Sequence, residues 1–123
     1  MAHKLALALL IALTSPAAAL TVTNDDGGRI QRYVEKSYAA RGKRVVIDGR
    51  CASACTLYLS GNVCATSRAT LVFHAATNSA GTRLLLASYP GRVKRWIRSR
   101  GGLGYRLLVA QGRLAQRLIG ACT

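Results

Sequence analysis

Ser53 lies in the run Asp48-Gly49-Arg50-Cys51-Ala52-Ser53-Ala54-Cys55, with a small residue on either side and a cysteine beyond each. The run reads as the end of a strand, a tight turn at Gly49 and the start of a helix. A serine at a helix start faces unpaired backbone N–H groups and the positive end of the helix dipole. That environment favours the anionic tetrahedral intermediate of acyl transfer. The same position is also the commonest place for a serine that simply caps a helix. His74 closes the run Leu71-Val72-Phe73-His74 and is the only histidine after residue 3. It falls at the C-terminal end of an apolar strand, where ligands collect in open α/β sheets. A neutral imidazole there can take the proton of Ser53 as a general base; the alternative is a structural histidine bonded to a loop.

These two groups have to be positioned by the elements around them. Leu20–Thr23 is short, β-branched and strand-like, and Asn24-Asp25-Asp26-Gly27-Gly28 is a turn cluster able to cap a helix. Between Gly28 and Ala40, Ile30, Tyr33, Val34 and Tyr38 recur at helical spacing on one face. Arg44–Asp48 is expected as a buried strand, Ser53–Leu59 as a helix, and Val63–Thr66 and Thr70–His74 as two further strands. Beyond a Thr77–Gly81 loop the pattern is helical and basic, with Leu85–Ala87 and Leu107–Ala110 apolar enough to pack over the sheet. Strand, helix, strand, helix, strand implies an α/β fold with right-handed crossovers and a short parallel or mixed sheet.

The 123-residue chain carries 18 Lys or Arg against 4 Asp or Glu, a formal charge of +14, and is 50% apolar. Such a composition excludes a multidomain enzyme, a disordered tail and a multispan membrane protein. Residues 1–19 form their own segment: basic Met1-Ala2-His3-Lys4, apolar Leu5–Thr14, the Ser15-Pro16 break and Ala17-Ala18-Ala19. This is the layout of a secretory signal peptide, and it is shorter than the ~20 apolar residues of a comfortable membrane span; the alternative is an uncleaved membrane anchor. Residues 20–123 are then expected as one domain in the periplasm or outside the cell.

Export governs the cysteines. Cys51, Cys55, Cys64 and Cys122 are even in number and all lie after the leader, so in an oxidising compartment they are expected to form two intramolecular disulfides. Cys122 stands one residue from the C-terminus, where a chain end frays. Bonding it to another cysteine would close a loop of roughly 60–70 residues, worth about 4 kcal/mol in the chain-entropy model. The three pairings remain open. Zinc is not expected, because the spacing offers no second close Cys pair and His74 is distant. No cofactor is implied.

Taken in order, the Asn24–Gly28 cluster, a helix, the Val-Val-Ile strand, Gly49–Cys55 and Leu71–His74 resemble the proteolytic subunit of Clp protease and its crotonase-like superfamily. They are most similar to small exported Clp-protease-like bacterial proteins, including the segment Tyr89–Arg98 followed by Gly101-Gly102-Leu103. The resemblance spans roughly Thr21–Cys122 and implies a truncated Clp-protease-like fold with a basic helical C-terminal tail, residues 82–123. It implies Ser53 as nucleophile, His74 as base, and the N–H groups of Gly28 and Ala54 as the oxyanion hole, with Gly27 allowing close backbone approach. Three departures accompany it, the first being that the opening strand-helix units of the full superfamily fold are lacking. Asp25-Asp26 replaces the Ser-Pro usual before the glycines, and no acidic residue follows His74 to complete a triad. Asn78 or a backbone carbonyl is left to orient the imidazole.

From Arg83 to Arg117 the chain carries nine Arg or Lys and no acid, with Arg92, Lys94, Arg95, Arg98 and Arg100 around Trp96 and Ile97. A basic helix with an aromatic anchor is suited to an anionic membrane or envelope polymer; the alternative is a solvated face. Nucleic acid is not an expected partner for an exported chain. An open sheet edge in so short a domain is expected to be hidden by self-association. Two functions follow: a small periplasmic serine hydrolase acting on a peptide or acyl substrate through a Ser53–His74 dyad, or a non-catalytic envelope protein that keeps the scaffold and binds an anionic surface or a protein partner.

Overall fold

The computed structural model describes residues 19–123; the segment expected as a signal peptide, residues 1–19, falls outside these but for Ala19. The element order is β1 (Leu20–Asp25), α1 (Ile30–Ala39), β2 (Val45–Ala52), a 3-10 helix (Ser53–Ser60), β3 (Val63–Ala65), β4 (Thr70–Phe73), α2 (Ser79–Ser88), α3 (Gly91–Ser99), β5 (Leu108–Gln111) and α4 (Arg113–Ile119). They form a mixed α/β domain around a small, open five-stranded sheet. No helix among the described residues is long and apolar enough to cross a membrane.

β2 is the spine. β1 runs parallel along one side of it, while its other side pairs in parallel with β3 through Val45–Ile47 and with β4 through Arg50–Ala52. β5 adds to β4 antiparallel and ends the sheet. β2 reaches further than its apolar start suggests. Gly49, expected as a turn, instead absorbs a bulge: the pairing steps from Val22↔Ile47 to Asn24↔Arg50, one extra residue on β2. A Cβ at Gly49 would lie 2.0 Å from the Thr23 carbonyl oxygen, so only glycine lets the two strands meet there. The strand then continues to Ala52 and delivers Ser53 at its end.

The core gathers Ile47, Leu71, Phe73, Leu85, Val93 and Ile97 between sheet and helices. The Phe73 ring meets Tyr89 edge-on at 5.3 Å and Trp96 at 5.8 Å. This corrects the expected role of Trp96. Val93 and Ile97 are buried and Trp96 packs against their cluster, so the apolar side of α3 faces the core and only its Arg and Lys side is left for a partner. α1 is likewise less buried than its spacing implies: Tyr33 is its one buried residue, and Tyr38 stands exposed with Arg41 over its ring.

The C-terminal part is not simply a helical tail laid on the sheet. Leu108–Gln111 is a strand within the sheet, with Leu108 and Ala110 buried. The chain end is stitched as well: Ala65 N–H donates to the Gly120 carbonyl (2.8 Å) and Cys122 N–H to the Ala65 carbonyl (2.9 Å). Beside them Cys64 and Cys122 are disulfide-bonded across 58 residues, just under the expected loop length. The second disulfide joins Cys51 and Cys55. Two disulfides fit an oxidising location outside the cytoplasm.

Candidate functional site

β2 ends at Ala52 in extended conformation, and the chain turns abruptly into the 3-10 helix at Ser53. Ser53 takes φ +59°, the only positive φ outside glycine among the described residues. An L-residue pays for that conformation, and such strain persists only where the surroundings impose it. Here they do so from three sides. The Cys51–Cys55 disulfide spans the turn with its Cα atoms 5.3 Å apart. Thr56, wholly buried, donates its hydroxyl to the Ser53 carbonyl at 2.6 Å. Because that hydroxyl proton is committed, the buried Tyr89 hydroxyl, 2.6 Å away, is the donor to Thr56 Oγ1. Burial pushes the Tyr89 phenol up to about 12, so Tyr89 holds its proton at neutral pH.

The third side is the Asn24–Gly28 loop. Gly27, at φ +84°, backs directly onto the turn: a Cβ on it would stand 2.7 Å from the Ala52 carbonyl oxygen and 2.9 Å from Ala54 N. Asp25 shapes this loop, its carboxylate accepting from Gly27 N–H at 2.9 Å and from the Tyr33 hydroxyl at 2.5 Å. Burial and the Asp25 charge raise the Tyr33 phenol to about 12. Asp26 meets Arg50 at 2.6 Å, tying the outer side of the loop to β2.

Ser53 does not cap the helix. The N-cap residue is Ala52, no side chain caps this end, and the Ser53 hydroxyl has no hydrogen-bond partner among the described residues. His74 follows β4 directly. Its ring Nδ1 lies 2.7 Å from the Ala75 carbonyl oxygen; a carbonyl can only accept, so Nδ1 carries a proton, and in the neutral ring Nε2 presents its lone pair. Asn78, a candidate for orienting the imidazole, is occupied elsewhere: its side chain caps α2 by accepting from Gly81 N–H at 2.8 Å.

Ser53, His74 and Gly28 open onto one cleft of about 470 Å³, walled also by Arg29, Ile30, Gln31, Asn78 and Leu85. No hydrogen bond joins Ser53 to His74 among the described residues. Ala54 is buried and does not line the cleft; its N–H belongs to the first helical turn, where backbone donors lack an intrahelical acceptor. The sequence pointed to Ser53, His74, Gly28 and Gly27 but not to Thr56, Tyr89 or Asp25. Thr56 had one visible signal, a lone polar residue three positions after Ser53 in the apolar run Ala54–Leu59. All four cysteines are bonded, which leaves no thiolate for a metal.

Asp48, a further carboxylate on β2, belongs to another cluster. It accepts from Arg68 at 2.7 and 2.9 Å and from Thr66 at 2.7 Å, and these bonds hold it below the usual carboxylate range. No protein-family model matches the chain, and neither a curated protein nor a solved structure matches it.

Proposed function

We propose that the chain is a small exported serine hydrolase of the periplasm, built on a shortened Clp-protease-like fold and acting on a peptide or acyl substrate. The observation that carries this is Ser53, a strained, uncapped serine that shares a cleft with a histidine of fixed tautomer. Ser53 Oγ attacks the substrate carbonyl while His74 Nε2 accepts its proton. The backbone N–H of Gly28, at the cleft wall, stabilises the oxyanion, and His74 returns the proton to the leaving group. Water then cleaves the acyl-enzyme by the same steps. The Ala75 carbonyl stands in for the triad carboxylate. It fixes the ring but carries no charge to stabilise the imidazolium, so turnover is slow compared with a full triad.

One feature favours a second function, a non-catalytic envelope protein that keeps the scaffold and binds an anionic surface or a protein partner: no Asp or Glu follows His74 in the chain. Turnover of p-nitrophenyl acetate and of a short fluorogenic peptide by the purified mature protein separates the two. A hydrolase loses turnover in both Ser53→Ala and His74→Ala while keeping its fold. Equal rates in all three proteins assign the scaffold role.

A further inference from the structure

Strand β5 pairs with β4 along one edge, and its other edge ends the sheet with no neighbouring strand among the described residues. Its pairing fixes which backbone groups are free. Gly112 N–H donates to the Ala69 carbonyl (2.9 Å), and the register runs Ala110↔Leu71 and Leu108↔Phe73. In the alternating antiparallel pattern, Ala110 and Leu108 therefore bond to β4, while the N–H and C=O of Val109 point outward. The side chains beside that edge are apolar and uncovered: Tyr105 is 94% exposed, Leu107 54% and Val109 44%.

The edge is also strongly basic. A cavity of about 230 Å³ lies between β5 and the end of α3, lined by Trp96, Arg100, Arg106, Leu107, Leu108 and Val109. Arg106 donates to the Arg100 carbonyl at 3.1 Å, and neither guanidinium meets a carboxylate among the described residues. None is available nearby in sequence, because the chain holds no Asp or Glu after Asp48. The Trp96 ring forms one wall of the cavity, with the Arg100 guanidinium over it at 5.6 Å.

We propose that the β5 edge and this cavity form a docking site for an extended, acidic peptide segment of a partner protein. The segment adds as a strand to the Val109 backbone and places a carboxylate between Arg100 and Arg106. Charge chooses this occupant. A second copy pairing edge to edge would bring the same arginines against each other with no acid to answer them, the arrangement by which basic residues keep edge strands from self-pairing. An acidic strand satisfies backbone and guanidinium groups together. The site shares no lining residue with the Ser53 cleft, so it stands independently of the hydrolase proposal.

Trp96 is the sole tryptophan, so its fluorescence reports the site directly. The mature protein is titrated with an acetylated, amidated Val-Glu-Val-Glu-Val peptide. A saturable change in emission is expected, weakened roughly tenfold or more by Arg100→Ala with Arg106→Ala. The same peptide with alternate amides N-methylated leaves the protein untouched and should also bind at least roughly tenfold more weakly. Equal binding of the N-methylated peptide, or the same response to inorganic phosphate alone, overturns strand addition and leaves an anion pocket. Concentration-dependent dimerisation in sedimentation, with peptide binding lost as dimer forms, overturns the choice of occupant in favour of a second copy.

Discussion

Replacing Ser53 by glycine and by alanine separates backbone strain from side-chain bonding at the turn. A left-handed φ costs an L-residue about 1–2 kcal/mol, and glycine escapes that cost. Glycine also loses about 0.5–1 kcal/mol relative to alanine through its freedom in the unfolded chain. The Cys51–Cys55 bond encloses position 53, which limits that freedom before folding and shrinks the penalty. The balance leaves Ser53→Gly more stable than wild type by about 0.5–1 kcal/mol. Ser53→Ala keeps its Cβ, and with it the strain, and removes a hydroxyl that bonds nothing in the fold; it should be neutral within about 0.5 kcal/mol. Urea unfolding with both disulfides intact measures both changes, with the slope m serving as a check that the unfolded state is unaltered. Both variants should lack hydrolase activity, so stability is held or gained as function is lost. If Ser53→Ala loses about 1 kcal/mol or more, the hydroxyl is a structural cap, and if Ser53→Gly is also destabilised, the strain account fails with it.

Cys122→Ala opens the 58-residue loop and should cost about 4 kcal/mol, whereas Cys51→Ala opens a four-residue separation and should cost about 2 kcal/mol, both read from denaturant midpoints of the non-reduced proteins. Gly27→Ala puts a methyl into the Ala52 carbonyl and keeps φ at +84°; a loss of about 2 kcal/mol or more and of all turnover is expected, checked by thermal unfolding and ester hydrolysis. In alkali, unfolded Tyr89 ionises near its ordinary value while in the fold burial holds it to about 12. Its contribution is therefore complete below pH ~10 and falls by about 2 kcal/mol as pH rises to 12, a slope that Tyr89→Phe should reduce in stability-against-pH curves, the raised Tyr33 phenol carrying the rest. The bonds from Arg68 and Thr66 hold Asp48 low in the fold, so its contribution is present above the ordinary carboxylate range and fades as acid protonates it; Arg68→Ala should flatten the acid limb.

Much of the layout was legible because periodicity and small residues carry it. The Val-Val-Ile strand, the helix after Gly27-Gly28 and the strand ending before His74 all stand where apolar runs and turn residues put them. The pairing of cysteines was not legible, since pairing depends on which strands lie side by side. β5 was missed for a related reason: Leu107–Ala110 is a short apolar run that helix and strand patterns share, and only the antiparallel partner Thr70–Phe73 decides between them. Gly49 looked like a turn because a bulge and a turn demand the same residue. At the site, residue types drew attention to Ser53 and His74, while the bonds that hold them, from Tyr89 through Thr56 and from Ala75, come from side chains and carbonyls with no distinguishing spacing.

Covalent labelling tests the central claim most directly. Purified mature protein is treated with a fluorophosphonate probe, digested, and mapped by mass spectrometry. A nucleophile activated by His74 places a single adduct on the peptide holding Ser53, and His74→Ala abolishes it without loss of fold. Absence of any adduct on folded wild-type protein, or labelling that survives Ser53→Ala, would contradict the assignment of Ser53 as the catalytic nucleophile.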